Sequence, residues 1–156
     1  MLNNEDLVKI KKETENFFKK MDIEVEINFP SPKEQTVPID VKAQEPQILI
    51  GENGQTLVEI QHLLKIILKR KISDPFFIDL DISGYKKKKA NYLKEMARSA
   101  ADEVALYKKE KILPPMSAYE RRIVHMELSE RKDVITESIG EEPDRKIIIK
   151  AGPSTY

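Results

Sequence analysis

The order in which apolar residues change period is what most constrains this chain. Leu7, Ile10, Thr14, Phe17, Phe18 and Met21 recur at helical spacing, and Ile23-Glu24-Val25-Glu26-Ile27-Asn28-Phe29 then alternates strictly. The first pattern predicts an amphipathic helix over 5–21 and the second a half-buried strand. Pro30-Ser31-Pro32 ends that strand, and Val37, Ile39 and Val41 alternate again as a second one, where Pro38 favours an edge position. A short helical turn is expected before Gly51. Leu57, Ile60, Leu64, Ile67 and Leu68 then mark a helix over 55–70, which Asp74-Pro75 closes off. Ile78, Leu80 and Ile82 alternate as a third strand, with Asp79 and Asp81 on its other face. The order is α-β-β-α-α-β over about 83 residues.

Ser83-Gly84 breaks the pattern and is the expected domain boundary. A long helix follows over 85–109, with Leu93, Met96, Ala97, Ala100, Val104 and Tyr107 on its buried side. Pro114-Pro115 lies in a connection. Ser117-Ala118-Tyr119-Glu120 fits a capping box that opens a helix running to Leu128. Residues 140–144 form a turn between strands near 134–139 and 145–149. The chain is therefore expected to be α+β, with one small domain over 1–83 and a second over 84–156 in which helices pack on a small sheet.

Composition removes several classes of function. The longest apolar run is four residues, Val104-Ala105-Leu106-Tyr107, far short of the ~20 a membrane-spanning helix needs. No secretory signal pattern opens the chain. Cysteine is absent, which excludes disulfides, thiol catalysis and cysteine metal sites and fits a reducing cytoplasm. With only His62 and His125 there is no histidine-rich metal site, and neither a metal nor a cofactor is expected. Net charge is zero, yet residues 1–59 carry 7 Lys/Arg against 12 Asp/Glu, and the remainder 20 against 15. A basic second part can hold a polyanion while the whole stays neutral; solvated helix faces give the same balance.

Three stretches could carry chemistry. The first is Gly51-Glu52-Asn53-Gly54, followed by Gln55-Thr56-Leu57, a Gly-x-x-Gly turn between two helices. Glycines lacking Cβ let a nucleic-acid strand approach the backbone, and the next helix offers free amides and a positive dipole end. The bland alternative is a tight turn. In its α-β-β-α-α-β setting the motif resembles a type II KH domain, a single-stranded nucleic-acid binder whose loop clamps about four nucleotides. The resemblance implies RNA contacts from Gly51, Glu52, Asn53, Gly54 and Gln55. KH loops are usually basic or polar where this chain has Glu52. A carboxylate ~5 Å from a phosphate costs on the order of 0.8 kcal/mol in water.

The second stretch is Glu120-Arg121-Arg122-Ile123-Val124-His125. Arg121 and His125 are four apart and share a helix face. Arginine offers a planar fork to phosphate, and histidine can hydrogen-bond or stack on a base. Pro115-Met116-Ser117-Ala118-Tyr119-Glu120-Arg121-Arg122-Ile123-Val124-His125, with Ser138-Ile139-Gly140-Glu141-Glu142-Pro143-Asp144-Arg145 downstream, resembles an R-three-H domain. That resemblance implies single-stranded nucleic-acid binding by Arg121, Arg122, His125 and Arg145. A KH unit followed by an R-three-H unit is similar to the bacterial Jag family over about residues 1–150. Many Jag proteins have a further Jag-N domain and linker at the N-terminus, which this sequence is expected to lack.

The third stretch is Lys86-Lys87-Lys88-Lys89 at the start of the long helix, basic support for a polyanion or simply a solvated patch. Arg131, Lys132, Arg145 and Lys146 extend a basic face only if folding gathers them. His62 lies off the apolar stripe and is expected to be exposed. No residues assemble into a nucleophile-and-base set, so an enzyme is not expected. The Jag resemblance implies a cytoplasmic regulator that binds single-stranded RNA, or single-stranded DNA by the same chemistry. It further implies action on transcripts, linked to cell elongation or division. No membrane insertion is expected. A homodimer, or a heterodimer with a small KH protein, is expected from the same resemblance. The rival reading is a protein-interaction scaffold whose KH-like unit mainly dimerises.

Overall fold

The computed structural model describes residues 2–153. They divide into two compact units, one up to Lys86 and one from Lys87.

In the first unit, α1 (Asn4–Lys20) is capped by Asn3, whose Oδ1 accepts from the Asp6 amide at 2.8 Å. Glu5 and Asp6 in its first turn and Lys19 and Lys20 in its last complement the helix dipole. Its inward face is Ile10, Thr14 and Phe18. The buried Thr14 hydroxyl is satisfied by donating to the Ile10 carbonyl at 2.7 Å. Met21, expected on this stripe, is exposed. Next come β1 (Val25–Asn28), β2 (Thr36–Ala43), α2 (Pro46–Ile50), a single 3-10 turn (Glu52–Gly54), α3 (Gln55–Lys69) and β3 (Phe77–Ile82). This is the α-β-β-α-α-β order read from the sequence. The sheet runs β1-β2-β3, antiparallel then parallel. Val37, Ile39 and Val41 of β2 and Ile78, Leu80 and Ile82 of β3 share one face and bury it beneath the three helices. Burying one such aliphatic side chain is worth roughly 1.5–3 kcal/mol, so this face is what holds the unit together.

Pro38 does not place β2 at an edge: β2 is the central strand. The register explains the tolerance. β1 covers β2 only from Asp40 to Ala43, so at Pro38 the strand has a neighbour on the β3 side alone. The carbonyls of Gln35 and Val41 accept from β3-side amides, so by alternation the Pro38 nitrogen faces the uncovered side. The missing amide is thus lost where no partner strand is present. At the open edge of β3, the outward Leu80 amide is taken by Gln61 Oε1 at 3.0 Å, which blunts that edge.

The second unit holds most of α4 (Tyr85–Tyr107), then β4 (Lys111–Ile112), α5 (Ala118–Leu128), β5 (Val134–Ile139) and β6 (Lys146–Ala151). Its sheet is antiparallel in the order β4-β6-β5. Ile147 and Ile149 point at Leu93, Ala97, Ala101 and Val104 of α4 and at Val124 and Leu128 of α5. The alanines on α4 let the layers approach closely. Tyr107, expected on the buried side of α4, is exposed at the helix end. The short β4 was not expected; two residues carry no period to read.

Candidate nucleic-acid interface

Helix α5 is fixed by both halves of the expected capping box. Ser117 Oγ accepts from the Glu120 amide at 3.3 Å, and Glu120 Oε2 accepts from the Ser117 amide at 2.8 Å. The cap sets the rotation of the helix and hence the direction of three basic residues.

Arg121 points inward. It is 7% exposed, with Nη1 donating to the Met116 carbonyl at 2.7 Å and Nη2 donating to Glu142 Oε1 at 2.7 Å. The sequence reading offered the Arg121 fork to phosphate. The structure gives it a latch between the segment before α5 and the β5–β6 turn. Arg121 falls on the face that Val124 and Leu128 bury, and a buried guanidinium must fill its donors from the protein.

His125 is half-buried and bridges α5 to β5. Its Nδ1 lies 2.7 Å from Thr136 Oγ1 and its Nε2 2.9 Å from Ser138 Oγ. Two residues apart on a strand, Thr136 and Ser138 share the face toward α5. Burial holds the His125 pKa below its ordinary 6.5, and the nearby Arg121 charge lowers it further. The neutral ring donates to one hydroxyl and accepts from the other. Both nitrogens are used internally, so the edge of His125 is not open to a base.

A test follows from that shift. The unfolded chain protonates His125 more readily than the folded one does. Its contribution to stability is therefore complete above pH 6.5 and is lost as pH falls below it. Melting curves from about pH 8 to about pH 5 should show the parent losing stability faster than His125→Gln. Parallel pH profiles would contradict the assignment.

Arg122 faces the other way. It is exposed and makes no ion pair or hydrogen bond among the described residues. Arg145 is half-buried, its carbonyl accepts from the Met116 amide at 3.1 Å, and its Nε is buried without a partner. Arg121 and Arg145 thus both hold the Met116 backbone. Of the four residues, Arg122 is the open cation, Arg121 and His125 are its support, and Arg145 carries one unmet donor.

In the first unit the 51–54 loop joins α2 to α3. Gly51 has φ +72°, and a Cβ there would lie 2.1 Å from Thr56 Oγ1. Gly54 has φ +79°, and its Cβ would meet the Tyr85 ring at 2.7 Å. Both glycines are required by packing within the chain, whatever the loop binds. Glu52 and Asn53 are exposed at its tip, and Gln55 Nε2 donates to Glu59 Oε1 at 2.9 Å. No side chain caps α3, and the Gln55 amide at its start donates to the Glu52 carbonyl.

The lysine run divides. Lys86 Nζ pairs with Asp79 Oδ1 at 2.5 Å and donates to Gln61 Oε1 at 3.2 Å. Lys89 Nζ lies 3.7 Å from Glu120 Oε1. Lys87 and Lys88 are exposed without a partner among the described residues. His62 is exposed, as expected.

The R-three-H domain model matches residues 91–151, which lie in the second unit. Relatives extend the likeness into the first unit. The RNA-binding protein KhpB of Clostridium symbiosum is 37% identical over 129 residues, covering 83% of this chain and 57% of that protein. KhpB of Bacillus subtilis is 32% identical over 117 residues, 74% of this chain and 56% of that protein. KhpB of Lactiplantibacillus plantarum is 32% identical over 102 residues, 65% of this chain and 32% of that protein. This is a Jag-type chain with an R-three-H domain. It spans little more than half the length of the first two relatives and about a third of the last. Arg121, Arg122, His125 and Arg145 all lie inside the matched R-three-H segment. Sequence reading missed the groups that hold them: Thr136, Glu142 and the Met116 backbone. The spacing of Thr136 and Ser138 was the available signal for the first of these. In the described residues of this Jag-type chain, no helix is long and apolar enough to cross a membrane.

Proposed function

We propose that the chain binds single-stranded RNA, with the outer face of α5 as its main contact and the 51–54 loop as a second. The observation that carries this reading is Arg122, an exposed cation without a partner among the described residues, on the helix of an R-three-H domain. Homology to proteins named as RNA-binding supports the ligand class. Single-stranded DNA presents the same phosphates and bases and is a second ligand of this surface. The regulatory role on transcripts, in the cytoplasm and linked to cell elongation or division, is the biological form of the proposal. We read the chain as a binder and not an enzyme, in line with those relatives.

Titration with single-stranded and duplex RNA of equal length tests this directly. The single strand should bind more tightly, and its affinity should fall steeply with salt, because duplex RNA hides its base edges and phosphate contacts release counterions. Equal or tighter duplex binding would overturn the proposal.

The loop has its own test. Glu52→Lys exchanges a repulsive carboxylate for a cation at the loop tip. Affinity should rise by ~1 kcal/mol, about fivefold, with a steeper salt dependence. Unchanged affinity and slope would show that the loop does not meet RNA, and would leave the first unit to pair with a second KH unit.

A further inference from the structure

The N-terminal halves of α4 and α5 carry two tyrosines that the fold does not use. Tyr92 is 59% exposed and Tyr119 is 68% exposed, and neither belongs to the apolar core of the second unit. A cation stands beside the Tyr92 ring. Lys89 Nζ lies 5.7 Å from the Tyr92 ring centroid and 3.7 Å from Glu120 Oε1. It therefore ties α4 to the first turn of α5, at the residue after Tyr119. Arg122 follows Tyr119 by three positions and Met126 by seven, so the three share one helix face; Met126 is 64% exposed. Along this stripe Arg122 is unpaired among the described residues.

An exposed ring leaves apolar area in water that a flat ligand could cover. Rings interleaved with cations suit one ligand chemistry above others: unpaired bases joined by phosphates. Every base has a π-face, while the phosphate between two bases is drawn to a nearby cation. We propose that Tyr92 and Tyr119 are stacking platforms for unpaired RNA bases, with Lys89 and Arg122 taking the adjoining phosphates and Met126 extending the apolar floor. The inference rests on the RNA-binding reading above and adds how bases are held. Stacking is tolerant of base identity, and both His125 nitrogens are occupied by Thr136 and Ser138. The surface should therefore show little sequence preference.

The test uses the full chain and a single-stranded oligoribonucleotide carrying 2-aminopurine. Tyr119→Ala and Tyr92→Ala should each weaken binding about tenfold, with an unchanged salt slope because stacking releases no counterions. Each should also reduce the 2-aminopurine fluorescence change on binding. Tyr119→Phe and Tyr92→Phe should behave like the parent. Thermal melts of all four variants should match the parent, since both rings are exposed; if an alanine variant melts early, the phenylalanine variant and the fluorescence change still decide. Alanine variants that bind within twofold of the parent would overturn the inference. So would phenylalanine variants as weak as alanine, which would assign the effect to the phenol hydroxyl. A parent that does not bind RNA overturns this and the function reading together. A parent that binds with tyrosine variants unaffected overturns this one alone.

Discussion

Arg121→Ala should destabilise the second unit by about 2–3 kcal/mol while leaving the open face of α5 in place. The guanidinium fills a 7%-exposed site and donates to the Met116 carbonyl and to Glu142. Truncation strips the carbonyl of a partner and empties the space of the arginine stem. Glu142 adds less, because its side chain is 58% exposed and returns to water at small cost. Arg121→Lys should recover only part of the loss, since an ammonium cannot reproduce a planar fork reaching two acceptors. Denaturant unfolding of the three proteins checks this. Stability within about 0.5 kcal/mol of the parent in Arg121→Ala would show that the latch does not support the unit.

Arg122→Ala should do the reverse. Its side chain is exposed and unpaired among the described residues, so stability should stay within about 0.5 kcal/mol of the parent. Affinity for single-stranded RNA should fall by about 1.5–3 kcal/mol, the worth of one charge-assisted contact. The slope of log affinity against log salt should become shallower by about 0.7, because one fewer phosphate is neutralised on a single strand. An affinity loss without a slope change would assign Arg122 to a base and not to phosphate. Undiminished affinity would remove it from the interface.

The contrast between these neighbouring arginines shows how far the sequence could be read. Their presence, the helix beneath them and the cap that orients it were legible, because Ser117 and Glu120 sit at fixed positions in a local motif. The i, i+4 relation of Arg121 and His125 was legible too, but not which way that face turns. The clue lay in Arg121, Val124 and Leu128, three residues at helical spacing that point into one core. An arginine on an apolar stripe reads as a site when taken alone and as a buried latch when taken with the stripe.

In the first unit, periodicity carried the element order except at α2, whose five residues span little more than one turn. Strand position was harder. Pro38 suggests an edge, and only the register, with β1 stopping at Asp40, shows how a central strand accommodates it. The approach of the Tyr85 ring to Gly54 is likewise tertiary, while that of Thr56 to Gly51 is local to the turn. They give the Gly-x-x-Gly turn a packing reason for its glycines, independent of any ligand. A glycine substitution there therefore perturbs the turn as well as any RNA contact, and Glu52 is the cleaner probe.

The central claim is that RNA lies on the outer face of α5. Photo-crosslinking single-stranded RNA to the full chain, followed by mass spectrometry of the modified peptides, tests it most directly. The account predicts adducts on the α5 segment between Tyr119 and Met126. Adducts confined to the first unit, or none on α5, would contradict it.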